Sequence, residues 1–296
     1  MQTILLTGVN GFIGQYLSEL LVEDYKVIAT GRGSSRLSFS APNLIYQSLD
    51  FTNEIEVTSL FEQYQPEIVI HSGAMSKPDD CETDRVAAYN TNVKGTQHLL
   101  KDAARFKSFF IFISTDFVFD GKRGMYSEMD TPENPVNYYG ETKLLAEEAV
   151  KKYPYDWSIV RPVFVYGHPR QGRQNLLTLV ATALQEGKAL KIFNDQFRTP
   201  TYVEDLTVAI KSIADQKATG IFHISGKDIL TPYEMAIAVA RILNLDENLI
   251  EPVTENTFSQ PALRPLKTGF NISKAQEQLG YTPISFEEGL KRTFKL

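Results

Sequence analysis

The sequence predicts an α/β fold in which a doubly wound parallel sheet carries a smaller α/β cap formed mainly by the C-terminal part. Three observations support this prediction. Apolar runs of strand length alternate with segments of helical character as far as Val160, which is typical of parallel strands joined by crossover helices. A glycine-rich turn follows the first run directly. After Arg161-Pro162 the chain becomes richer in glycine, proline and irregular stretches, which indicates a second, smaller unit.

The alternation assigns the elements in chain order. Strands are predicted at residues 3–7, 26–30, 67–71, 109–114 and 157–160, with a further apolar stretch before Asp50. Helices are predicted between these strands and in the second part, at residues 12–24, 55–64, 84–104, 138–152, 176–186, 203–215 and 232–243. Because each helix can return the chain for another parallel strand, the sheet is expected to be covered on both faces.

Composition restricts the class of protein. With 296 residues, 43% of them hydrophobic, the chain can bury one large core or two unequal ones. The 30 Lys and Arg against 36 Asp and Glu give a net charge of -6 without a basic block, which argues against a nucleic-acid or membrane-surface partner. The single Cys81 cannot form an internal disulfide, no export signal is recognisable, and no apolar run approaches the roughly 20 residues that span a bilayer. These features predict a cytoplasmic protein and leave a homodimer open.

The glycine-rich turn stands between the first predicted strand and the first predicted helix. Its sequence, Thr7-Gly8-Val9-Asn10-Gly11-Phe12-Ile13-Gly14, is in the setting that a dinucleotide-binding loop requires. Such glycines let the backbone approach a pyrophosphate and place that anion at the positive end of the helix. A tight turn without a ligand would need the same glycines, but the position favours a Rossmann-type dinucleotide site. Cofactor contacts are expected from Gly8, Asn10, Gly11, Phe12, Ile13 and Gly14.

This loop assigns roles to the two parts of the chain. Residues 1–165, rejoined by 203–225, are expected to form the NAD(P)-binding domain. Residues 166–202 and 226–296 are expected to form the substrate-binding domain, and the chain should return to the first domain at Tyr202-Val203-Glu204-Asp205.

The end of the second strand indicates which dinucleotide is bound. An acidic residue there would accept hydrogen bonds from the adenosine ribose, but the sequence reads Thr30-Gly31-Arg32. A guanidinium matches a 2′-phosphate in charge and geometry, so NADP(H) is preferred, with Arg36 as a helper and NAD(H) left open. An ordinary solvated arginine is the alternative. Further cofactor contacts are expected beside the adenine and along the cofactor backbone, from Asp50, Phe51, Gly73 and Ala74.

Tyr139 and Lys143 are four residues apart at the start of a predicted helix and therefore lie on one face. A free tyrosine, with a pKa of about 10, transfers protons poorly near neutrality, and a neighbouring cation favours its ionised form. Lys143 is therefore expected to tune Tyr139 as an acid, although such pairs are also common on helix surfaces. Thr115 ends a buried strand at the sheet edge where ligands gather, so it is expected to bind the substrate carbonyl that Tyr139 protonates. A turn cap is the alternative for Thr115.

Together these motifs resemble the extended short-chain dehydrogenases over nearly the whole chain. The motifs that follow the family's order are the glycine loop, the run at 92–96, the set of Thr115, Tyr139 and Lys143, and Arg161-Pro162 ahead of 165–167. Within that superfamily, segments 114–121 and 195–201 are most similar to dTDP-4-dehydrorhamnose reductase and its relatives. Two stretches depart from this group, namely 11–14, which is typical of epimerases and dehydratases, and 75–81.

The resemblance implies roles for further residues. Thr115, Tyr139 and Lys143 would be catalytic, with Asp116 as a contributor. Asn175 and Arg264 would hold substrate phosphates. Arg198 would face the sugar nucleotide, and a surface salt bridge is the alternative for it. The remaining implied contacts are those of Asn92, Ser114, Tyr139, Lys143 and Val163 with the cofactor, and of Gln196, Arg198 and Thr201 with the sugar nucleotide.

These features predict NADPH-dependent reduction of a 4-keto-6-deoxy nucleotide sugar, as in dTDP-L-rhamnose synthesis. The alternatives are an NAD-dependent nucleotide-sugar epimerase or dehydratase, and a non-catalytic NADP-binding regulatory subunit such as the one attached to methionine adenosyltransferase. A dehydratase is the weaker alternative because such enzymes typically have an Asp-Glu pair after the threonine, whereas Phe117 follows Asp116 here. No metal is expected, because the histidines stand singly at positions 71, 98, 168 and 223.

Overall fold

A seven-stranded parallel sheet forms the centre of the molecule. The structure is a computed structural model that describes residues 1–172, 174–257 and 260–296. The strands in these ranges are β1 (Thr3–Thr7), β2 (Lys26–Gly31), β3 (Leu44–Ser48), β4 (Ile68–His71), β5 (Phe109–Ile113), β6 (Trp157–Pro162), β7 (Val165–Tyr166), β8 (Leu190–Phe193), β9 (Thr201–Tyr202), β10 (Gly220–Ile224) and β11 (Ile250–Val253). The large sheet has the order β10-β6-β5-β4-β1-β2-β3, and β11-β8 and β7-β9 form two small pairs.

Helices connect these strands. In the described ranges they are α1 (Phe12–Leu21), α2 (Glu54–Tyr64), α3 (Pro78–Thr83), α4 (Arg85–Tyr89), α5 (Gly95–Phe106), α6 (Tyr138–Lys151), α7 (Leu176–Gln185), α8 (Val203–Gln216), α9 (Pro232–Ile242), α10 (Ser273–Leu279) and α11 (Phe286–Phe294). The single helix predicted over 84–104 is divided, because a π-helical segment, Asn90–Lys94, joins α4 to α5. None of the helices in those ranges is long and apolar enough to cross a membrane.

Side chains of the central strands alternate between two hydrophobic cores. Ile4 and Leu6 of β1 pack in the core that contains residues of α1, α8 and α10, whereas Leu5 packs with residues of α2, α5 and α6. All three side chains are fully buried. A parallel sheet covered by helices on both faces requires this pattern, and the fold class predicted from the sequence is confirmed.

The chain leaves the large sheet after β6 and returns to it later. α8 packs against α1, and β10 pairs with β6. One part of the expected domain division is wrong: Phe270, Ala275 and Tyr281 lie in the core beneath α8 instead of in the substrate-binding part. The reason is that α10 packs against β10, and its apolar side chains cover that strand.

A third core holds the smaller lobe together. Leu177 of α7, Met235 of α9 and Phe286 of α11 pack in it with Tyr166 of β7. The chain enters this lobe directly from the carboxyl end of β6. The two lobes therefore meet at the edge of the sheet where ligands bind in open α/β folds.

Candidate active site

The glycine loop lies between β1 and α1, at the carboxyl end of β1. Gly8 has a φ of 76°, and a Cβ on Gly14 would lie 2.4 Å from the Gly8 carbonyl oxygen, so both positions need glycine. The N-cap residue of α1 is Gly11, which offers no side chain to the free backbone N–H groups of the first turn. These N–H groups can therefore receive an anion, which is what a pyrophosphate requires.

Asn10 shapes the turn that follows β2. Its amide donates to the carbonyls of Arg32 (3.1 Å) and Ser34 (3.0 Å), and its oxygen accepts from the backbone N–H of Arg36 (2.9 Å). The side chain of Asn10 is thus committed to this turn. Arg32 and Arg36, the two residues predicted to bind a 2′-phosphate, are both exposed beside the carboxyl end of β2.

Phe51 and Gly73 lie together under the loop after β4. A Cβ on Gly73 would be 2.6 Å from the ring of Phe51, and a Cβ on Gly95 would be 2.5 Å from the same ring. The packing of Phe51 therefore requires glycine at 73 even without a cofactor, and the predicted close approach of the cofactor there stays a prediction. Asp50 accepts hydrogen bonds from the backbone (3.0 Å) and hydroxyl (2.7 Å) of Thr52, and Ala74 follows Gly73 in a half-buried position.

Asn92 and Ser114 have buried side chains with partners inside the protein. Asn92 binds the backbone of Met75 through both its oxygen (2.8 Å) and its nitrogen (3.1 Å), and it donates to Thr142 (3.0 Å). Ser114 donates to Glu147 at 2.6 Å. These hydrogen bonds fix the loop after β4 and the end of β5. That both residues neighbour the nicotinamide ribose and ring stays a prediction.

Thr115, Tyr139 and Lys143 are brought together at the carboxyl end of β5. The Thr115 hydroxyl lies close enough to the Tyr139 phenol to lower its pKa. One helical turn after Tyr139, the Nζ of Lys143 donates to the carbonyl of Ile113 at 2.7 Å. Gly140 permits this arrangement, because a Cβ there would lie 2.1 Å from the Phe117 carbonyl oxygen. Helix α6 can therefore pack directly on the turn that carries Thr115.

Burial dominates the protonation of this cluster. Burial raises the pKa of Tyr139 well above its usual range, and the neighbouring Thr115 hydroxyl only partly opposes that change. Burial also lowers the pKa of Lys143 to about 7, against the opposing charge of Glu147. The expectation that Lys143 lowers the pKa of Tyr139 is thus wrong for the protein by itself. Tyr139 is held as a neutral phenol that carries a proton.

Asp116 and Arg198 are buried on the other side of Thr115. Asp116 accepts from Thr115 at 3.1 Å and from Thr268. Burial raises the pKa of the Asp116 carboxyl, and the nearby Arg198 guanidinium opposes that shift. Arg198 donates to the carbonyl of Pro265 at 2.6 Å and to the Gln196 side chain at 3.3 Å. The alternative of a surface salt bridge for Arg198 is wrong, because only 3% of the residue is exposed.

Three residues expected to contact the substrate make hydrogen bonds with other residues of the protein. Thr201 is fully buried, and its hydroxyl donates to the Val163 carbonyl and accepts from the Val163 N–H, so the expectation that Thr201 faces the sugar nucleotide is wrong. Asn175 caps α7 and donates to the Gly167 carbonyl at 2.7 Å. Arg264 makes two hydrogen bonds with Asp79, at 2.6 and 2.7 Å.

Comparison with known proteins assigns the family. The family model described as RmlD substrate binding domain matches residues 1–296. The chain belongs to this family. A dTDP-4-dehydrorhamnose reductase (rfbD) from Bacillus anthracis str. Ames, solved in complex with NADP, has a TM-score of 0.87 and 29% identity, covering 100% of this chain and 99% of that one. The predicted likeness to the dTDP-4-dehydrorhamnose reductase group of extended short-chain dehydrogenases is therefore confirmed.

Other proteins similar to this RmlD-family chain carry different names. Methionine adenosyltransferase 2 subunit beta of Danio rerio is 32% identical over 280 residues, covering 92% of this chain and 84% of that protein. Spore coat polysaccharide biosynthesis protein SpsK of Bacillus subtilis (strain 168) is 30% identical over 295 residues, covering 98% and 96%. DesIV, a dTDP-glucose 4,6-dehydratase from Streptomyces venezuelae solved with NAD and TYD bound, has a TM-score of 0.86 and 25% identity, covering 99% and 96%.

A fully buried ion pair behind the site was not anticipated. Glu147, one turn after Lys143 on α6, binds Arg161 of β6 through two hydrogen bonds of 2.9 and 2.6 Å. Arg161 also contacts His223 at 3.2 Å. The spacing Tyr139, Lys143, Glu147 could have indicated that a third polar residue shares the helix face.

Two residues that stand alone in the sequence, His71 and Cys81, are both buried. His71 lies between the hydroxyls of Thr7 (2.7 Å) and Thr96 (3.0 Å), and burial keeps its pKa well below the usual range. Burial raises the pKa of the Cys81 thiol to about 11. No group of side chains in the described ranges could hold a metal ion.

Proposed function

We propose that this RmlD-family protein reduces a 4-keto-6-deoxy nucleotide sugar, with NADP(H) preferred over NAD(H). The observation that carries the proposal is the buried cluster in which the hydroxyls of Thr115 and Tyr139 lie next to each other and Lys143 follows one helical turn later. The cluster lies at the carboxyl edge of the sheet that also carries the glycine loop. The dTDP-4-dehydrorhamnose reductase with bound NADP supports the same reaction type.

The residues of the first lobe fit a dinucleotide. The N–H groups at the start of α1 would receive its pyrophosphate, and Arg32 and Arg36 would bind a 2′-phosphate. The bound nicotinamide would supply the hydride. Lys143 would hold the nicotinamide ribose, as the family resemblance implies.

Tyr139 would supply the proton. The high pKa that burial gives its phenol keeps the proton in place at neutral pH. On reduction, the carbonyl oxygen would take the Tyr139 proton, which would leave an alcohol and a tyrosinate. Thr115 would hold the same oxygen by a hydrogen bond, so that the carbonyl points toward the phenol.

The smaller lobe would bind the nucleotide. The N-terminus of α7, with Asn175 as its cap, would face the diphosphate, and Gln196 would lie next to the sugar. Arg264 could join them only by exchanging its Asp79 partner for the phosphate, which offers the same bidentate geometry.

A non-catalytic dinucleotide-binding subunit is the second candidate. The names of the methionine adenosyltransferase relatives favour it, and so do the internal hydrogen bonds of Arg198 and Arg264. The glycine loop would then bind NADP(H) without turnover.

A turnover assay separates these candidates. We expect purified protein to consume one NADPH for each dTDP-linked 4-keto-6-deoxyhexose converted, followed by the absorbance of reduced nicotinamide. Nucleotide-sugar conversion without net NADPH consumption, together with tightly bound NAD, would identify an epimerase or a dehydratase. NADPH binding without conversion of any keto sugar, together with co-purification of a partner enzyme, would identify the subunit.

Arg32 provides a test of the cofactor preference. The change Arg32→Ala should weaken NADPH binding by about 10- to 100-fold and leave the Kd for NADH unchanged, because a charge-assisted hydrogen bond is worth roughly 1.5–3 kcal/mol. Calorimetric titration of both dinucleotides measures this effect. Arg241→Ala, at an exposed arginine on α9, is the control and should change neither Kd. An unchanged ratio of the two Kd values in Arg32→Ala would mean that another residue recognises the 2′-phosphate.

A further inference from the structure

The segment 262–268 connects several parts of the candidate site. The backbone N–H of Ala262 donates to Asp79 at 3.2 Å, and the carbonyl of Leu263 accepts from Asn137, the cap of α6, at 2.7 Å. At the other end of the segment, the hydroxyl of Thr268 donates to Oδ2 of Asp116. Thr268 is fully buried. Its side chain therefore belongs to the interior of the site, although it lies far from Asp116 in the sequence.

The hydroxyl of Thr115 has more partners than hydrogens. It lies 3.1 Å from Oδ1 of Asp116, accepts from the backbone N–H of Phe117 at 3.2 Å, and lies beside the Tyr139 phenol. A threonine hydroxyl carries one hydrogen. An ionised Asp116 can only accept, so it would hold that hydrogen and leave none for a substrate carbonyl. A protonated Asp116 can donate to Thr115 and release the Thr115 hydrogen.

Thr268 determines which oxygen of the Asp116 carboxyl carries the proton. Because the Thr268 hydroxyl donates to Oδ2, a proton on the carboxyl is placed on Oδ1, the oxygen beside Thr115. We propose that Thr268 is a positioning residue that acts through Asp116 to set the direction in which the Thr115 hydroxyl donates its hydrogen. The consequence for catalysis rests on the proposed function, in which Thr115 binds the carbonyl.

The groups around Asp116 set the pKa of its carboxyl, and that pKa determines how activity should change with pH. Burial raises the pKa of the carboxyl, whereas the Arg198 guanidinium and the hydroxyls of Thr268 and Thr115 lower it. The phenol of Tyr139 is the other titratable group that faces Asp116. Thr115 is available to the substrate while Asp116 is protonated, so activity is present at low pH and lost as the pH rises through the pKa of Asp116. Removing the Thr268 hydroxyl should move that loss to higher pH.

Titration of Asp116 tests the proposal without a substrate. The carboxyl-carbon NMR resonance of Asp116 is followed against pH in the wild type, Thr268→Val, Thr268→Ser and Thr115→Val. We expect Thr268→Val and Thr115→Val each to raise the pKa of Asp116 by about one pH unit, since each removes a hydrogen bond to the ionised form. Thr268→Ser retains the hydroxyl and should titrate as the wild type does. The same Asp116 pKa in Thr268→Val as in the wild type would overturn the proposal.

Kinetics then test the effect on Thr115. In reduction of the keto sugar, kcat/KM should fall as the pH rises through the pKa of Asp116. This fall, the high-pH limb, should shift to higher pH by the same amount in Thr268→Val and stay in place in Thr268→Ser. It should disappear in Thr115→Val. A lower kcat/KM in Thr268→Val with an unmoved limb would show a merely structural role and overturn the proposal. Failure of the wild type to reduce any keto sugar would refute the proposed function, whereas the carboxyl titration would still decide whether Thr268 controls Asp116.

Discussion

The change Tyr139→Phe should lower kcat for keto-sugar reduction by about 10²- to 10⁴-fold, the usual contribution of a general acid. The substitution removes the phenolic proton, while the ring that packs against Phe117 remains. NADPH binding should therefore be unchanged. The measurements are steady-state kinetics on the ketone that reacts and calorimetric titration with NADPH.

Tyr138 offers a matched control in the same turn of α6. It is only half-buried, and its ring lies 4.8 Å from the Arg85 guanidinium, outside the cluster of Thr115 and Lys143. Tyr138→Phe should turn over at the wild-type rate. Full activity in Tyr139→Phe would mean that a different group supplies the proton, and loss of NADPH binding would mean that the variant is misfolded.

The change Glu147→Gln should lower the free energy of unfolding by roughly 3–5 kcal/mol, because it leaves the Arg161 guanidinium charged and unpaired in the interior. Neither side chain of this pair has any exposed surface. The double change Glu147→Met with Arg161→Met removes both charges, so it should recover part of this loss. Urea unfolding followed by circular dichroism measures all three proteins.

An exposed ion pair gives the comparison for this effect. Lys101 and Glu54 approach to 2.6 Å, but their side chains are 64% and 47% exposed. Lys101→Met should therefore cost less than about 1 kcal/mol. If Glu147→Gln destabilises the protein no more than Lys101→Met does, the buried pair is not a structural requirement.

The sequence predicted most of the fold because the central strands have a strong local signal. The apolar run of β1 and the glycines that follow it define both ends of that strand, and the predicted bounds 3–7 agree with the structure. The division of the lobes was harder to predict. Nothing local in 270–281 indicates that α10 covers β10, since that contact depends on the return of the chain through α8.

The same limit applies to the site. Thr115, Tyr139 and Lys143 could be grouped because strand ends and helical spacing place them, but the roles assigned to them stay predictions. Thr201 and Arg264 were identifiable as polar residues in suggestive motifs. The sequence did not indicate that Thr201 pairs with the backbone of Val163, or Arg264 with Asp79. The direction of the Tyr139 pKa also depends on burial. Burial is set by packing between distant segments, which one stretch of sequence does not contain.

The position of β6 affects how the protein forms during synthesis. β6 pairs with β5 on one side and with β10 on the other, and β10 is made only after the whole excursion through β7, α7, β8 and β9. Until then the nascent chain presents an apolar strand with an open backbone edge, which can pair with other chains. Closing this edge brings together segments far apart in sequence, a step that is slow in folding. β10 therefore covers the edge of β6 only late in synthesis, and until then that edge is open to pairing with other chains.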